Sequence, residues 1–90
     1  MPSKQRMMHQ VRALPESPGV YLMRDANEDI IYIGKALKLR TRVRSYFGSG
    51  RSMEPKVRAL AAEIQRLEHV VTKTEAEALH LEATLVKRHQ

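Results

Sequence analysis

Ninety residues allow one small domain with a thin core, and the absence of cysteine excludes disulfides and thiolate zinc sites as staples. No run of about 20 apolar residues is present to span a membrane, and Met1 to Gln10 is polar with no secretory apolar core, so a soluble, cytoplasmic chain is expected. Sixteen Lys and Arg against ten Asp and Glu give a formal net charge of +6 and a sequence pI near 10.1, a balance suited to a polyanionic partner.

Residues 5–14 (QRMMHQVRAL) suit a short helix, and Pro15 and Pro18 then break regular structure. Gly19 to Arg24 (GVYLMR) is β-branched and aromatic and predicts a strand. A polar turn over residues 25–29 leads to a second strand, Ile30 to Ile33, so that the two form an antiparallel hairpin. Four consecutive apolar residues predict that this second strand is central and buried on both faces. Helical periodicity follows over residues 35–47, ended by Gly48-Ser49-Gly50. Residues 54–68 predict a second amphipathic helix, with Pro55 in its first turn and Val57, Leu60, Ala61, Ile64 and Leu67 on one face. His69 to Lys73 predicts a short third strand. Thr74 and Glu77 fit a capping box that opens a last helix over residues 75–88. The order is β-β-α-α-β-α with a leading helix, an α+β domain in which helices cover a three-stranded sheet. No internal repeat is present.

Three features carry chemistry. With about 100° per residue, Lys35, Lys38, Arg42 and Tyr46 fall on one edge of the helix expected at 35–47, beside an apolar stripe of Ala36, Leu39, Val43 and Phe47. Such a row can hold successive phosphates, or it is an ordinary solvated face. In the last helix Glu82 lies mid-way in an apolar arc of Ala76, Ala78, Leu79, Leu81, Ala83, Leu85 and Val86. An ionised carboxylate pressed towards a core is costly unless it is paired or binds a metal. A salt bridge to a core-edge cation is one reading, and ligation of Mg²⁺ or Mn²⁺ is the other. Tyr21 and Tyr32 stand in adjacent strands and suit simple packing, yet a phenol near Lys35 and a metal-held water can also serve as a general base. No Walker-type loop, GxSxG or HExxH sequence is present, and His9, His69, His80 and His89 are scattered as surface residues.

Gly19-Val20-Tyr21 followed by Tyr32-Ile33-Gly34 resembles the paired motif of the GIY-YIG nuclease superfamily. The blocks LPESPGVYLMRD (14–25), IIYIGKALKLRTRVRSYF (30–47) and EAEALHLEATLVKRH (75–89) are similar to the N-terminal domain of the UvrC family, in the same order and over about half the chain. The resemblance implies an α/β domain with a three-stranded antiparallel sheet flanked by helices. It implies metal-dependent hydrolysis of one phosphodiester bond of damaged double-stranded DNA, 3′ to a lesion, in nucleotide excision repair. The domain then belongs to a longer protein of the UvrABC excision nuclease, acts on a UvrB–DNA complex, and is monomeric as a fragment.

Carried over to matching positions, the resemblance makes Tyr32 the candidate for polarising or deprotonating the attacking water, with Tyr21 in support, although either tyrosine is open as the base. Lys35 would lower the relevant pKa and hold the water or phosphate. Arg42 would stabilise charge on the scissile phosphate, and Tyr46 would position it. Glu82 would be the sole protein ligand of one divalent ion, Mg²⁺ or Mn²⁺. Lys38 and Arg44, with Arg42, would contact DNA. Thr84 stands where the family usually has Asn, and the family's later Pro-x-Tyr/Phe-Asn segment falls after Gln90. The alternatives are another GIY-YIG endonuclease, of homing, restriction or stand-alone type, and a non-catalytic basic DNA-binding module.

Overall fold

The computed structural model describes residues 4–47 and 55–89. The turn expected at Gly48-Ser49-Gly50, the expected helix start at Glu54 and the side chain of Val57 lie outside the described residues. Eight elements follow in chain order: α1 (Lys4–Arg12), β1 (Gly19–Arg24), β2 (Ile30–Ala36), α2 (Leu39–Arg44), a 3₁₀ turn (Ser45–Phe47), α3 (Pro55–Glu63), β3 (Arg66–Val71) and α4 (Glu75–Arg88). The sheet is antiparallel with strand order β2-β1-β3.

β1 is the central strand and is buried from Gly19 to Met23. Alternation sends Tyr21 and Met23 to one face and Val20 and Leu22 to the other. The first face packs on Met7 and Val11 of α1, Leu14, Leu39 and Val43 of α2, and Ile64. The second packs on Ala78, Leu81 and Leu85 of α4, with Ile30 and Ile33 of β2. Leu39 and Val43 are fully buried, and each contributes about 1.5–3 kcal/mol to holding α2 on the sheet. Gly19 allows this packing, because a Cβ there would lie 2.7 Å from Leu39 Cδ1 and overlap the Val70 carbonyl oxygen.

The strand expected to be central, Ile30 to Ile33, is instead at an edge. Its apolar run serves two faces through a register irregularity. Met23 pairs with Tyr32 and Arg24 with Ile30, which leaves Ile31 to the α1–α2 side while Ile30 and Ile33 meet α4. β2 also runs on to Ala36, because Lys35 pairs with Val20 and Ala36 with Gly19. Lys35 is therefore in a strand, and the helix expected from residue 35 begins only at Leu39.

The expected helix over 54–68 ends at Glu63, and β3 begins three residues before its expected start at His69. Helix-forming residues there yield to pairing with β1, from Arg24 opposite Arg66 to Gly19 opposite Val71. Gln65 N–H extends that ladder to the Arg24 carbonyl at 2.8 Å. At the far end of the hairpin, the Asp25 carboxylate accepts from the N–H groups of Asn27 and Asp29, and Glu28 adopts φ 67°. Arg24 Nε donates to Glu68 at 2.6 Å, and Arg66 pairs with Glu28 and stands 3.6 Å from Glu68. The last helix matches expectation: Thr74 caps α4 by accepting from Glu77 N–H at 3.1 Å.

Candidate active site

The chain has three tyrosines, and the fold brings all three together. Ring centroids of Tyr21 and Tyr32, and of Tyr21 and Tyr46, are 5.9 Å apart, and those of Tyr32 and Tyr46 are 6.1 Å apart. These are edge-to-face and tilted contacts of favourable separation. Register explains the grouping. Tyr21 pairs with Gly34, and Tyr32 lies two residues before Gly34 on the same face of β2. A Cβ on Gly34 would lie 2.5 Å from Tyr21 Cζ and 2.8 Å from Tyr32 Cε2, and would overlap the Tyr21 hydroxyl. The glycine is the floor on which the phenols rest. Tyr46 arrives from the 3₁₀ turn that follows α2.

The Tyr21 and Tyr46 hydroxyls are hydrogen-bonded at 2.8 Å, and both rings are buried. Burial pushes the Tyr21 phenol above its ordinary value of 10.0, against smaller lowering effects of its hydrogen bonds to Tyr46 and Arg42. Burial also pushes Tyr46 well up, and its bond to Tyr21 adds to the rise. Both phenols therefore stay protonated at neutral pH and act as hydrogen-bonding groups rather than bases. Tyr32 is 38% exposed and is the phenol that solvent reaches. Arg42 closes the group: its hydrogen bond to Tyr21 is the first cause of a raised guanidinium pKa. No ion pair engages Arg42 among the described residues.

The remaining expected residues are placed differently. Lys35 does not share a helical row with Lys38, Arg42 and Tyr46, since it lies on β2, Lys38 is extended (φ −130°, ψ 100°), and Tyr46 is in the 3₁₀ turn. As the partner of Val20, Lys35 leaves the sheet on the α4 side, opposite to Gly34 and Tyr32. Lys35 and Tyr32, expected near one another, thus stand on the same strand but leave it on opposite faces. Arg44 is exposed, two helix positions on from Arg42 and so on a different flank of α2, and Lys38 is exposed at the head of that helix.

Glu82 is half-buried on α4. The apolar arc around it is wider than the face that packs. Ala78 is buried and Leu81 and Leu85 are partly so, but Leu79 and Val86 are 52% and 39% exposed, and Ala76 and Ala83 are also exposed. Glu82 thus marks the border of the core rather than its middle. The expected alternative of a salt bridge is absent among the described residues, which leaves the carboxylate available.

A family model described as the UvrC-like GIY-YIG domain matches residues 17–90. The chain belongs to that family. It is 49% identical over 87 residues to the UvrABC system protein C of Acaryochloris marina, covering 97% of this chain and 14% of the relative. It is 50% identical over 84 residues to that of Acetivibrio thermocellus, covering 93% and 13%. The chain therefore spans about one seventh of the length of these curated relatives. Among solved structures, the GIY-YIG N-terminal endonuclease domain of UvrC from Thermotoga maritima, bound to its catalytic magnesium, superposes with TM-score 0.83 at 37% identity. That match covers 97% of this chain and 93% of the other. Three further structures of that domain are tyrosine-to-phenylalanine point mutants bound to the cation, matching with TM-score 0.83.

The family's divalent ion has a fitting donor here. No group of three or more His, Cys, Asp or Glu side chains gathers among the described residues. A lone available carboxylate suits a hard ion that keeps most of its water and takes phosphate oxygens. Glu82, half-buried and without an ion pair among the described residues, fits that description. His9, His69, His80 and His89 are all exposed. No helix among the described residues is long and apolar enough to cross a membrane. The floor role of Gly34 is not visible in the sequence. Nor are the bonds from the N–H groups of Leu39, Arg40 and Thr41 to residues 15–17, for which the one sequence signal is Lys38, a residue unable to cap the helix it precedes.

Proposed function

We propose that this chain is the N-terminal incision domain of a longer, cytoplasmic UvrC-type protein. It hydrolyses one phosphodiester bond on the damaged strand of duplex DNA, 3′ to a lesion, within a UvrB–DNA complex. The observation that carries this reading is the gathering of three phenols around Gly34 with a guanidinium that has no ion pair among the described residues, beside an edge strand whose other face carries Lys35. Because β2 is flanked by β1 alone among the described residues, a phosphate lying along its open edge has access to groups from both faces.

In this mechanism Arg42 binds a non-bridging phosphate oxygen and offsets the charge that grows in the transition state. Tyr21 and Tyr46, kept neutral by burial, hold the guanidinium and the neighbouring phenol in place. Tyr32, the accessible phenol, orients the attacking water and relays one proton: it passes its own phenolic proton to solvent as it takes one from the water, and the leaving 3′-oxygen takes a proton from solvent. Lys35 supplies positive charge from the α4 side, and Lys38 and Arg44 steady the flanking backbone. Glu82 would hold the Mg²⁺ or Mn²⁺ ion, which when bound supplies charge for the leaving 3′-oxygen.

The test is incision of end-labelled, lesion-bearing duplex by the full-length protein with UvrA and UvrB. Glu82→Gln is expected to abolish the Mg²⁺-dependent 3′ nick while DNA affinity survives. Retained 3′ nicking by this variant would overturn the metal assignment, and a wild type that binds without nicking would leave a basic DNA-binding module.

A further inference from the structure

We infer that Glu16 is a positioning residue for Arg42, acting from the loop before β1. The inference rests on the nuclease reading above. α2, the helix that carries Arg42, is only six residues long, and its N-cap Lys38 makes no side-chain capping bond. The first N–H groups of a helix need acceptors from outside it. Here the 14–18 loop provides them. Leu39 N–H donates to the Ser17 carbonyl at 3.1 Å, and Arg40 N–H to the Pro15 carbonyl at 3.2 Å. Thr41 N–H donates to Glu16 Oε1 at 2.8 Å, and the Thr41 hydroxyl donates to Glu16 Oε2. Arg40 Nε also donates to the Leu14 carbonyl at 2.9 Å.

Glu16 is the one side chain among these acceptors. It is also exposed, and its carboxylate bonds to Thr41 rather than to a phenol. Its grip on Thr41 holds both ends of the residue that immediately precedes Arg42. Tyr46 follows one turn later, with Ser45 Oγ bonded to the Arg42 carbonyl at 2.5 Å. Without the clamp Thr41 loses two bonds at the start of α2, and the Arg42 guanidinium is held less firmly beside Tyr21. Leu39 and Val43 remain buried and keep the helix on the sheet. The expected defect is therefore in alignment, where small displacements are costly to rate, rather than in folding or DNA binding.

The experiment measures incision by the full-length protein with UvrA and UvrB, separating the rate at saturation from the half-saturating concentration. Glu16→Ala is expected to lower the saturated rate on the order of tenfold, with half-saturation unchanged and thermal melting lowered only by the few degrees that loss of a helix cap brings. Glu16→Gln retains the acceptor for Thr41 N–H and offers an amide N–H to the Thr41 oxygen, so it is expected to restore the wild-type rate. Thr41→Val is expected to lower the rate less than Glu16→Ala and to add nothing to it in the double variant. A wild-type rate for Glu16→Ala overturns this inference alone, as does a Glu16→Gln variant as slow as Glu16→Ala. A wild type that binds DNA without making the 3′ nick overturns the nuclease reading and this inference with it.

Discussion

At the hairpin end of β1, charges meet opposite charges. Arg24 is bonded to Glu68, and Arg66 to Glu28. Further along the same sheet, over Gly34, Arg42 lies against phenols and has no carboxylate partner among the described residues. The first region is closed electrostatically, by pairs that solvent still reaches and that add little to stability. The second is open. Buried phenols stay neutral and cannot compensate the guanidinium, so its charge is left for an anion arriving from solvent. In a basic domain, which cations work is decided less by their number than by which ones the fold leaves unanswered.

That contrast can be broken from either end. Arg42→Ala should lower incision on the order of 10²–10³-fold, as loss of a transition-state donor does, with thermal melting close to wild type. Gly34→Ala should cost about 1–3 kcal/mol of stability, since the new Cβ meets the Tyr21 ring and hydroxyl. Its incision should fall with the displaced phenols, and chemical denaturation measures the first effect. Glu68→Gln should cost less than about 1 kcal/mol and leave incision unchanged. Arg24 holds the Glu68 carboxyl below its ordinary value. The pair therefore contributes above the unfolded glutamate pKa, and its contribution is lost as pH falls through the folded value. The stability gap between wild type and Glu68→Gln should close in acid, as urea titrations at two pH values can show.

Local chemistry announced part of this molecule and not the rest. β1 and α4 stand where β-branched residues and a Thr74 cap put them. Lys35 was misplaced because helical spacing from residue 35 is indistinguishable from a strand end followed by a helix. Only the pairing of Val20 with Lys35 decides it, and pairing is non-local. The same holds for Leu67, apolar at helical spacing but opposite Met23 in the sheet. Tyr21, Tyr32 and Arg42 were legible as residues through motif resemblance, yet their grouping over a glycine floor required the register. Glu82 was legible as an unusual carboxylate. Its position at the core border was not, because helix periodicity gives the arc and not how much of it a neighbour covers.

The chain holds no tryptophan, and its three tyrosines all belong to one cluster. Its near-ultraviolet absorption and dichroism are therefore dominated by that cluster, an intrinsic optical label needing no probe. Tyr21 and Tyr46 keep their protons past the ordinary value of 10.0 in the folded state. Their preference for the folded state is complete below the unfolded phenol pKa and fades as pH rises through the folded values. In alkaline titration, phenolate absorbance from this pair thus signals the cluster coming apart, so one spectrum follows the integrity of the candidate site itself.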